Sequence, residues 1–178
     1  AVQELKENEF KDIFQEELEK DHEFVRDVQI ETDVEMLIPD DYVSNIQERL
    51  NLYTKLDDLQ REEELEAFEN ELRDRFGKVP PQVKELFKGL KLRWLCRELG
   101  FDRLILKNNK LRCYFVENAQ SPYYESKLFG NIVRLVGAEG KKLGLSLKQS
   151  HSRLILIRDG VRTLSAANQV LGELLDRV

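Results

Sequence analysis

Regular hydrophobic spacing begins at the amino terminus. Apolar residues recur at helical intervals among glutamates and lysines in residues 1–24, which predicts an amphipathic helix with a narrow apolar stripe. Residues 28–38 then alternate between apolar and polar side chains, a pattern typical of a strand with one buried face. We therefore predict two parts, with residues 1–25 as a connecting helix that leans on another part of a longer chain and residues 26–178 as a separate domain.

Three predicted helices follow this strand. The second covers about residues 61–76, and the third covers about residues 81–99 and stops at Gly100. The apolar stripe of the first helix is formed by Ile46, Leu50, Tyr53 and Leu56. The stripe of the third helix is formed by Val83, Leu86, Phe87, Leu90, Trp94 and Leu95.

After Gly100 the pattern predicts paired strands. Asn108 and Asn109 separate two apolar runs, and residues 150–152 separate two more, so that each pair of runs predicts a hairpin. A helix opening at Ser121 lies between the hairpins, and another follows from about Arg162 to the end. The predicted fold class is α+β, with a helical layer packed on a largely antiparallel sheet.

Charge is divided unevenly along the chain. Residues 1–80 hold 25 acidic and 10 basic side chains, whereas residues 81–178 hold 9 acidic and 18 basic ones, so a net charge of −6 hides halves of −15 and +9. Three interpretations remain open. The halves neutralise each other within the fold, the acidic half contacts a basic protein surface, or the basic half contacts nucleic acid.

Candidate catalytic and metal-binding chemistry is sparse. Cys96 and Cys113 belong to no cluster with zinc-site spacing, so we expect two reduced thiols in a cytoplasmic protein. The glycine-flanked pair Lys141-Lys142 lacks the first glycine and the Ser/Thr of a phosphate-binding loop and predicts a surface turn. Residues 150–152 read Ser-His-Ser but supply no third group to orient the histidine. We expect no catalytic residue, no metal, no cofactor and no membrane span.

A basic stripe on the third helix and the following hairpin provides an alternative function. Its members are Lys84, Lys88, Lys91, Arg93, Arg97, Arg103, Lys107, Lys110 and Arg112. The lysines lie away from the apolar stripe, as solvated side chains normally do, and no aromatic residues alternate with them as in single-strand-binding platforms. An accessory DNA-binding domain using the basic second half is therefore the alternative.

Two short segments carry a family resemblance. Residues 38–43 read IPDDYV, and residues 71–81 read ELRDRFGKVPP. The second segment combines a helix end with a glycine stop and a proline restart, for which Gly77 would adopt the left-handed conformation and Pro81 would enter the first turn of the next helix. Together they resemble the C-terminal domain of the bacterial transcription-repair coupling factor family, Mfd, over about residues 28–178.

The resemblance implies a regulatory role. In that family the domain follows an ATP-dependent DNA translocase, has no catalytic residues, packs on the UvrB-like domain of the same chain and covers the surface that binds UvrA. Contacts with UvrA and RNA polymerase would then be indirect, through the parent. By motif, Glu71 and Asp74 contribute to the interdomain contact. The predicted function is autoinhibition by a monomeric domain.

Glu71 and Asp74 are also unusual in their placement. They lie three residues apart in the last turns of a helix, where the helix dipole disfavours negative charge. A compensating cation is therefore expected. Arg75 and Lys78 would supply it within the chain, or a basic patch on another domain would supply it from outside.

Overall fold

The computed structural model describes residues 24–178. The elements are, in chain order, β1 (Gln29–Thr32), α1 (Ile46–Asp57), α2 (Glu62–Phe76), α3 (Pro81–Leu99), β2 (Phe101–Lys107), β3 (Lys110–Phe115), a 3₁₀ turn (Pro122–Glu125), α4 (Lys127–Leu143), β4 (Leu145–Ser150), β5 (Arg153–Asp159) and α5 (Leu164–Arg177). The connecting helix predicted for residues 1–25 falls outside the described residues except for its last two positions, so the division into two parts stays a prediction.

The sheet has five strands in the order β1-β2-β3-β5-β4. β1 pairs with β2 in parallel, and the other three pairs are antiparallel. Helices α3, α4 and α5 cover one face and bury a shared apolar core. The sheet residues of that core include Leu104, Leu106, Leu111, Cys113, Phe115, Leu145 and Leu156. The predicted α+β class, with helices on a largely antiparallel sheet, is confirmed.

A second core lies between α1, α2 and α3, and α3 belongs to both. The residues of α3 in this second core, which we call the helical core, are Val83, Phe87 and Leu90. The residues of α3 in the core that lies against the sheet, which we call the sheet core, are Leu92, Cys96 and Leu99. The sequence prediction identified only the first of these two stripes, because a helix buried on two sides has no single apolar face.

The predicted strand over residues 28–38 is only partly a strand. Its ladder ends at Thr32, whose hydroxyl accepts a hydrogen bond from the Val34 N–H at 3.1 Å. The alternation continues nevertheless, since Val34 and Met36 pack against the sheet core and Ile38 is buried in the helical core. The segment crosses from one core to the other, so its pattern of burial is correct although most of it has no strand partner.

The predicted stripe of α1 is wrong in its first two members. Leu52 and Leu56 are buried, whereas Ile46 and Leu50 are 67% and 54% exposed. Because the side of the helix that carries Leu52 and Lys55 faces α2, Ile46 and Leu50 lie on a side that no other described element covers.

The hairpins match the prediction, and the region between them needs two corrections. Asn108 and Asn109 adopt positive φ values of 55° and 60°, as a two-residue hairpin turn requires. The helix predicted from Ser121 is a 3₁₀ turn followed by α4, for which Ser126 provides the cap by accepting from the Phe129 N–H. The Lys141-Lys142 pair lies inside the last turn of α4 rather than in a surface turn.

Candidate functional site

Glu71 and Asp74 lie in the last two turns of α2, and the chain turns sharply after them. Gly77 ends the helix with φ 89° and ψ −162°, a positive φ as predicted, although this ψ lies outside the left-handed helical region. Pro81 occupies the first turn of α3 as predicted. The end of α2 and the short connection after it are largely exposed, as Asp74, Gly77 and Lys78 show. We call the pair Glu71 and Asp74 the acidic corner.

The two segments that carried the family resemblance meet at this corner. The Tyr42 hydroxyl lies 2.9 Å from the Gly77 carbonyl oxygen and 3.2 Å from that of Leu72, so it donates to the end of α2. The Tyr42 ring also packs against Phe76, with ring centroids 5.8 Å apart. Burial raises the pKa of the Tyr42 hydroxyl, which keeps it a donor. The IPDDYV segment thus fixes where the acidic corner stands.

Glu71 is already engaged within the chain. Lys55 of α1 donates to its carboxylate at 2.6 Å, and the guanidinium of Arg75 lies 3.6 Å away. Arg75 also pairs with Glu48 of α1 and lies over the Phe76 ring at 4.8 Å. The hydrogen bond from Lys55 is the main cause of a lowered pKa for Glu71. Arg75 is thus one predicted compensating cation, and Lys55 is a second that the sequence did not reveal.

Asp74 differs from its neighbour. Its side chain is exposed and has no hydrogen-bond or ion-pair partner among residues 24–178. Lys78, the other cation predicted to compensate the corner, is likewise exposed and forms no ion pair within that range. One carboxylate of the acidic corner is therefore held by α1 and α2, and the other faces solvent.

Much of the basic stripe on α3 is neutralised by the acidic half. Lys91 pairs with Glu62 of α2 at 2.9 Å, and Arg93 pairs with Asp57 of α1 at 2.8 Å. Arg103 of β2 similarly pairs with Glu31 of β1 at 2.7 Å. Neutralisation within the fold thus explains part of the charge asymmetry. It also makes α3 a poor surface for phosphate groups.

Other candidate chemistry forms no site in the described part of the chain. Cys96 and Cys113 are both buried, and burial raises the pKa of each thiol. No group of three or more His, Cys, Asp or Glu side chains within residues 24–178 is arranged to hold a metal ion. None of the helices in that range is long and apolar enough to cross a membrane.

Comparison with known proteins identifies the family. The sequence model of the TRCF domain matches residues 32–126, more than half of the chain. The chain belongs to the TRCF domain family. Its matched region contains α1, α2, α3 and the first hairpin, and therefore includes the acidic corner.

Full-length relatives place this TRCF domain within much longer proteins. It is 27% identical over 143 residues to the transcription-repair-coupling factor of Rickettsia prowazekii, covering 79% of this chain and 12% of the relative. Over 84 residues it is 34% identical to the factor of Rickettsia conorii, covering 47% and 8%. With the Escherichia coli factor it shares 35% identity over 78 residues, covering 42% and 7%. The chain thus spans about a tenth of the length of these relatives.

A solved structure supports the same fold. The TRCF domain superposes on the crystal structure of a C-terminal domain of transcription-repair coupling factor with a TM-score of 0.62. The match covers 84% of this chain and 95% of that chain, at 18% sequence identity. The family resemblance predicted from the two short segments is therefore confirmed, and the domain is a C-terminal TRCF domain rather than a catalytic ATPase domain.

Proposed function

We propose that this TRCF domain is a non-catalytic autoinhibitory module of a cytoplasmic transcription-repair coupling factor. In the closed state it packs on the UvrB-like domain of the same parent chain and masks the surface that binds UvrA. Asp74 carries the proposal, because it is an exposed carboxylate without a partner in the described chain and lies three residues from Glu71 at the end of α2. The domain acts as a monomer, and its links to UvrA and RNA polymerase run through the parent.

The local electrostatics favour a cation from outside. Asp74 lies within the last turn of α2, where unpaired carbonyl groups make negative charge unfavourable. An arginine or lysine on a facing domain would relieve this repulsion. A solvent-exposed ion pair contributes only about 0.2–1 kcal/mol, but charge pairs at protein interfaces contribute more when water is excluded around them. The free carboxylate of Asp74 is therefore suited to an interface.

Glu71 would then set the geometry of the contact. Its carboxylate is held toward α1 by Lys55, while its side chain remains 34% exposed. A carboxylate accepts several hydrogen bonds, so an incoming guanidinium can bind Glu71 without displacing Lys55. Two carboxylates three residues apart on one helix present adjacent acceptors. This spacing fits a cluster of basic side chains better than a single lysine.

Such a contact need not be strong to regulate the parent. An energy difference of about 3 kcal/mol between closed and open arrangements keeps the open state near 1%, since each 1.4 kcal/mol is a tenfold change. Binding of polymerase or DNA elsewhere on the parent would then release the domain by favouring the open arrangement. The surface for UvrA becomes accessible only in that state.

Charge reversal in the full-length parent tests the proposal. Glu71→Lys combined with Asp74→Lys should raise basal ATPase activity and UvrA capture several-fold, because like charges would then face each other across the contact. The matched control is Glu63→Lys combined with Glu66→Lys, which has the same charge change and spacing at the other end of α2. Both control residues are exposed and form no ion pair among residues 24–178.

The single substitution Asp74→Lys distinguishes release of the domain from its partner from misfolding of the domain. Asp74→Lys leaves the Lys55–Glu71 pair intact, so it should raise both activities without lowering the free energy of unfolding of the domain. Wild-type ATPase activity and UvrA capture in the single and double variants would exclude the acidic corner as the contact. An equal rise in the control would show that overall charge, rather than this corner, sets the activity.

A further inference from the structure

One face of the sheet is covered by no helix of the described residues, 24–178. Side chains alternate across each strand, and those pointing toward α3, α4 and α5 form the sheet core. The outward-pointing side chains of β2, β3, β4 and β5 belong to neither core cluster, and no helix among residues 24–178 packs on them, although Ile155 among them is only 6% exposed. We call this side of β2 to β5 the open sheet face.

The open sheet face is predominantly basic. The strand registers bring together side chains from distant parts of the sequence, aligning Arg103 with Tyr114, Tyr114 with Ile155, and Ile155 with Lys148. The cations of this face are Arg103, Lys107, Lys110, Arg112, Lys148 and Arg153. Neighbouring strands lie about 4.8 Å apart, so the row from Arg103 to Lys148 spans about 14 Å.

Half of these cations are available to a ligand. Lys107, Arg112 and Lys148 have no ion-pair partner within residues 24–178. This contrasts with α3, where Lys91 and Arg93 are held by carboxylates of other helices. The open sheet face therefore keeps three cations without an ion pair in the described chain, whereas two of the central cations of α3 are paired.

The aromatic ring of Tyr114 lies among the cations of the open sheet face. The guanidinium carbons of Arg103 and Arg153 each lie 5.2 Å from the centroid of the Tyr114 ring. Ile105 and Ile157 flank Arg112 in the next row and are half-buried. The face thus alternates cations with flat or apolar side chains. The basic stripe predicted from the sequence already contained Arg103, but the expectation that no aromatic residue lies among its cations is wrong, because strand pairing brings Tyr114 between Arg103 and Arg153.

We infer that the open sheet face binds a short stretch of single-stranded nucleic acid. Lys107, Arg112 and Lys148 would contact phosphates, while Tyr114 and its two arginines would offer surfaces on which unpaired bases stack. A duplex keeps its bases stacked inside and could use only the cations. An acidic protein segment would not use the ring in this way. This site is separate from the acidic corner, so it does not depend on the proposed autoinhibition.

Binding of oligonucleotides to the full 178-residue chain tests the inference. The probe is a fluorescein-labelled oligothymidylate of about fifteen nucleotides, followed by anisotropy, with a duplex of the same length and a polyglutamate peptide as competitors. Arg112→Glu combined with Lys148→Glu should weaken binding about tenfold or more. The salt dependence, as the slope of log K against log salt concentration, should fall by about 1.4, since a phosphate contact on a single strand contributes about 0.7.

The matched control carries the same charge change on the helical side. Lys84→Glu combined with Lys142→Glu alters two exposed lysines of α3 and α4 that have no ion-pair partner in the described chain, and it should change affinity less than about twofold. Circular dichroism and thermal unfolding of every variant would show that the fold is retained.

Substitutions of the ring distinguish base stacking from charge alone. Tyr114→Leu should weaken binding of the oligothymidylate about fivefold, whereas Tyr114→Phe should retain it, because stacking needs the ring and not the hydroxyl. Equal affinity in the control and the double reversal would overturn the inference. So would a duplex that binds more tightly than the single strand, or polyglutamate that displaces the probe at equal charge concentration, which would indicate an acidic protein partner.

Discussion

The position of the acidic corner depends on contacts made by individual side chains. Tyr42 connects the segment before α1 with the end of α2 through its hydroxyl, and Arg75 of α2 connects that helix with α1 through Glu48. Arg75 was predicted as a compensating cation, whereas the contact of Tyr42 with the end of α2 was not predicted. These two contacts anchor the end of α2, on which Asp74 lies exposed.

Removing the Tyr42 hydroxyl should loosen this end of α2. We expect Tyr42→Phe to lower the free energy of unfolding by about 1 kcal/mol, the usual value of one hydrogen bond, measured by urea denaturation. Tyr114→Phe is the control, because its hydroxyl has no hydrogen-bond partner among residues 24–178. Equal stability of the two variants would show that the Tyr42 hydroxyl does not anchor the corner.

At the scale of elements, helix ends and hairpins were predictable because local chemistry determines them. Gly100, Pro81 and the Asn108-Asn109 turn all lie where their conformational preferences placed them. The extent of β1 was not predictable, since alternation reports which side chains are buried and not which partner covers them. The exposed side of α1 was missed for a related reason, because its rotation depends on ion pairs with α2 that lie 16 and 27 residues away.

The glycine ending α3 should be less replaceable than the glycine ending α2. Both have positive φ values, 90° at Gly100 and 89° at Gly77. A Cβ at Gly100 would also lie 2.2 Å from the Tyr123 ring, whereas one at Gly77 would meet nothing within 4 Å. We expect Gly100→Ala to destabilise by about 3 kcal/mol or more and Gly77→Ala by about 1–2 kcal/mol. Thermal unfolding of both variants measures the difference, and the reverse order would contradict the packing.

At the scale of the whole molecule, the unequal halves of the sequence become neighbours. Glu62 and Asp57 of the acidic half pair with Lys91 and Arg93 of the basic half, while Asp74 and three cations of the open sheet face are among the charges left without an ion pair in residues 24–178. The sequence predicted the opposite net charges of the two halves, but it did not predict which side chains would form ion pairs and which would remain unpaired. The packing of the helices determines which of their charged side chains form ion pairs. The register of the strands determines which cations lie together on the open sheet face.

Acid should weaken the helical core first. Hydrogen bonds from Lys55 and Lys91 lower the pKa values of Glu71 and Glu62, so these pairs stabilise the fold above the unfolded pKa of about 4.3, and that contribution is lost as the pH falls below it. The free energy of unfolding, measured from pH 7 to pH 3, should decline less steeply in Glu71→Gln and in Glu62→Gln than in the unsubstituted chain. Parallel curves would show that the two pairs add no pH-dependent stability.

The position of α3 in both cores has a mechanical consequence. Its 19 residues form a rod about 28 Å long, with one half buried beneath α1 and α2 and the other beneath the sheet. The acidic corner and the sheet are therefore connected through one continuous helix that is packed in both cores. If the acidic corner binds another domain as proposed, its release would move the open sheet face as well, because both are joined to α3 through the two cores.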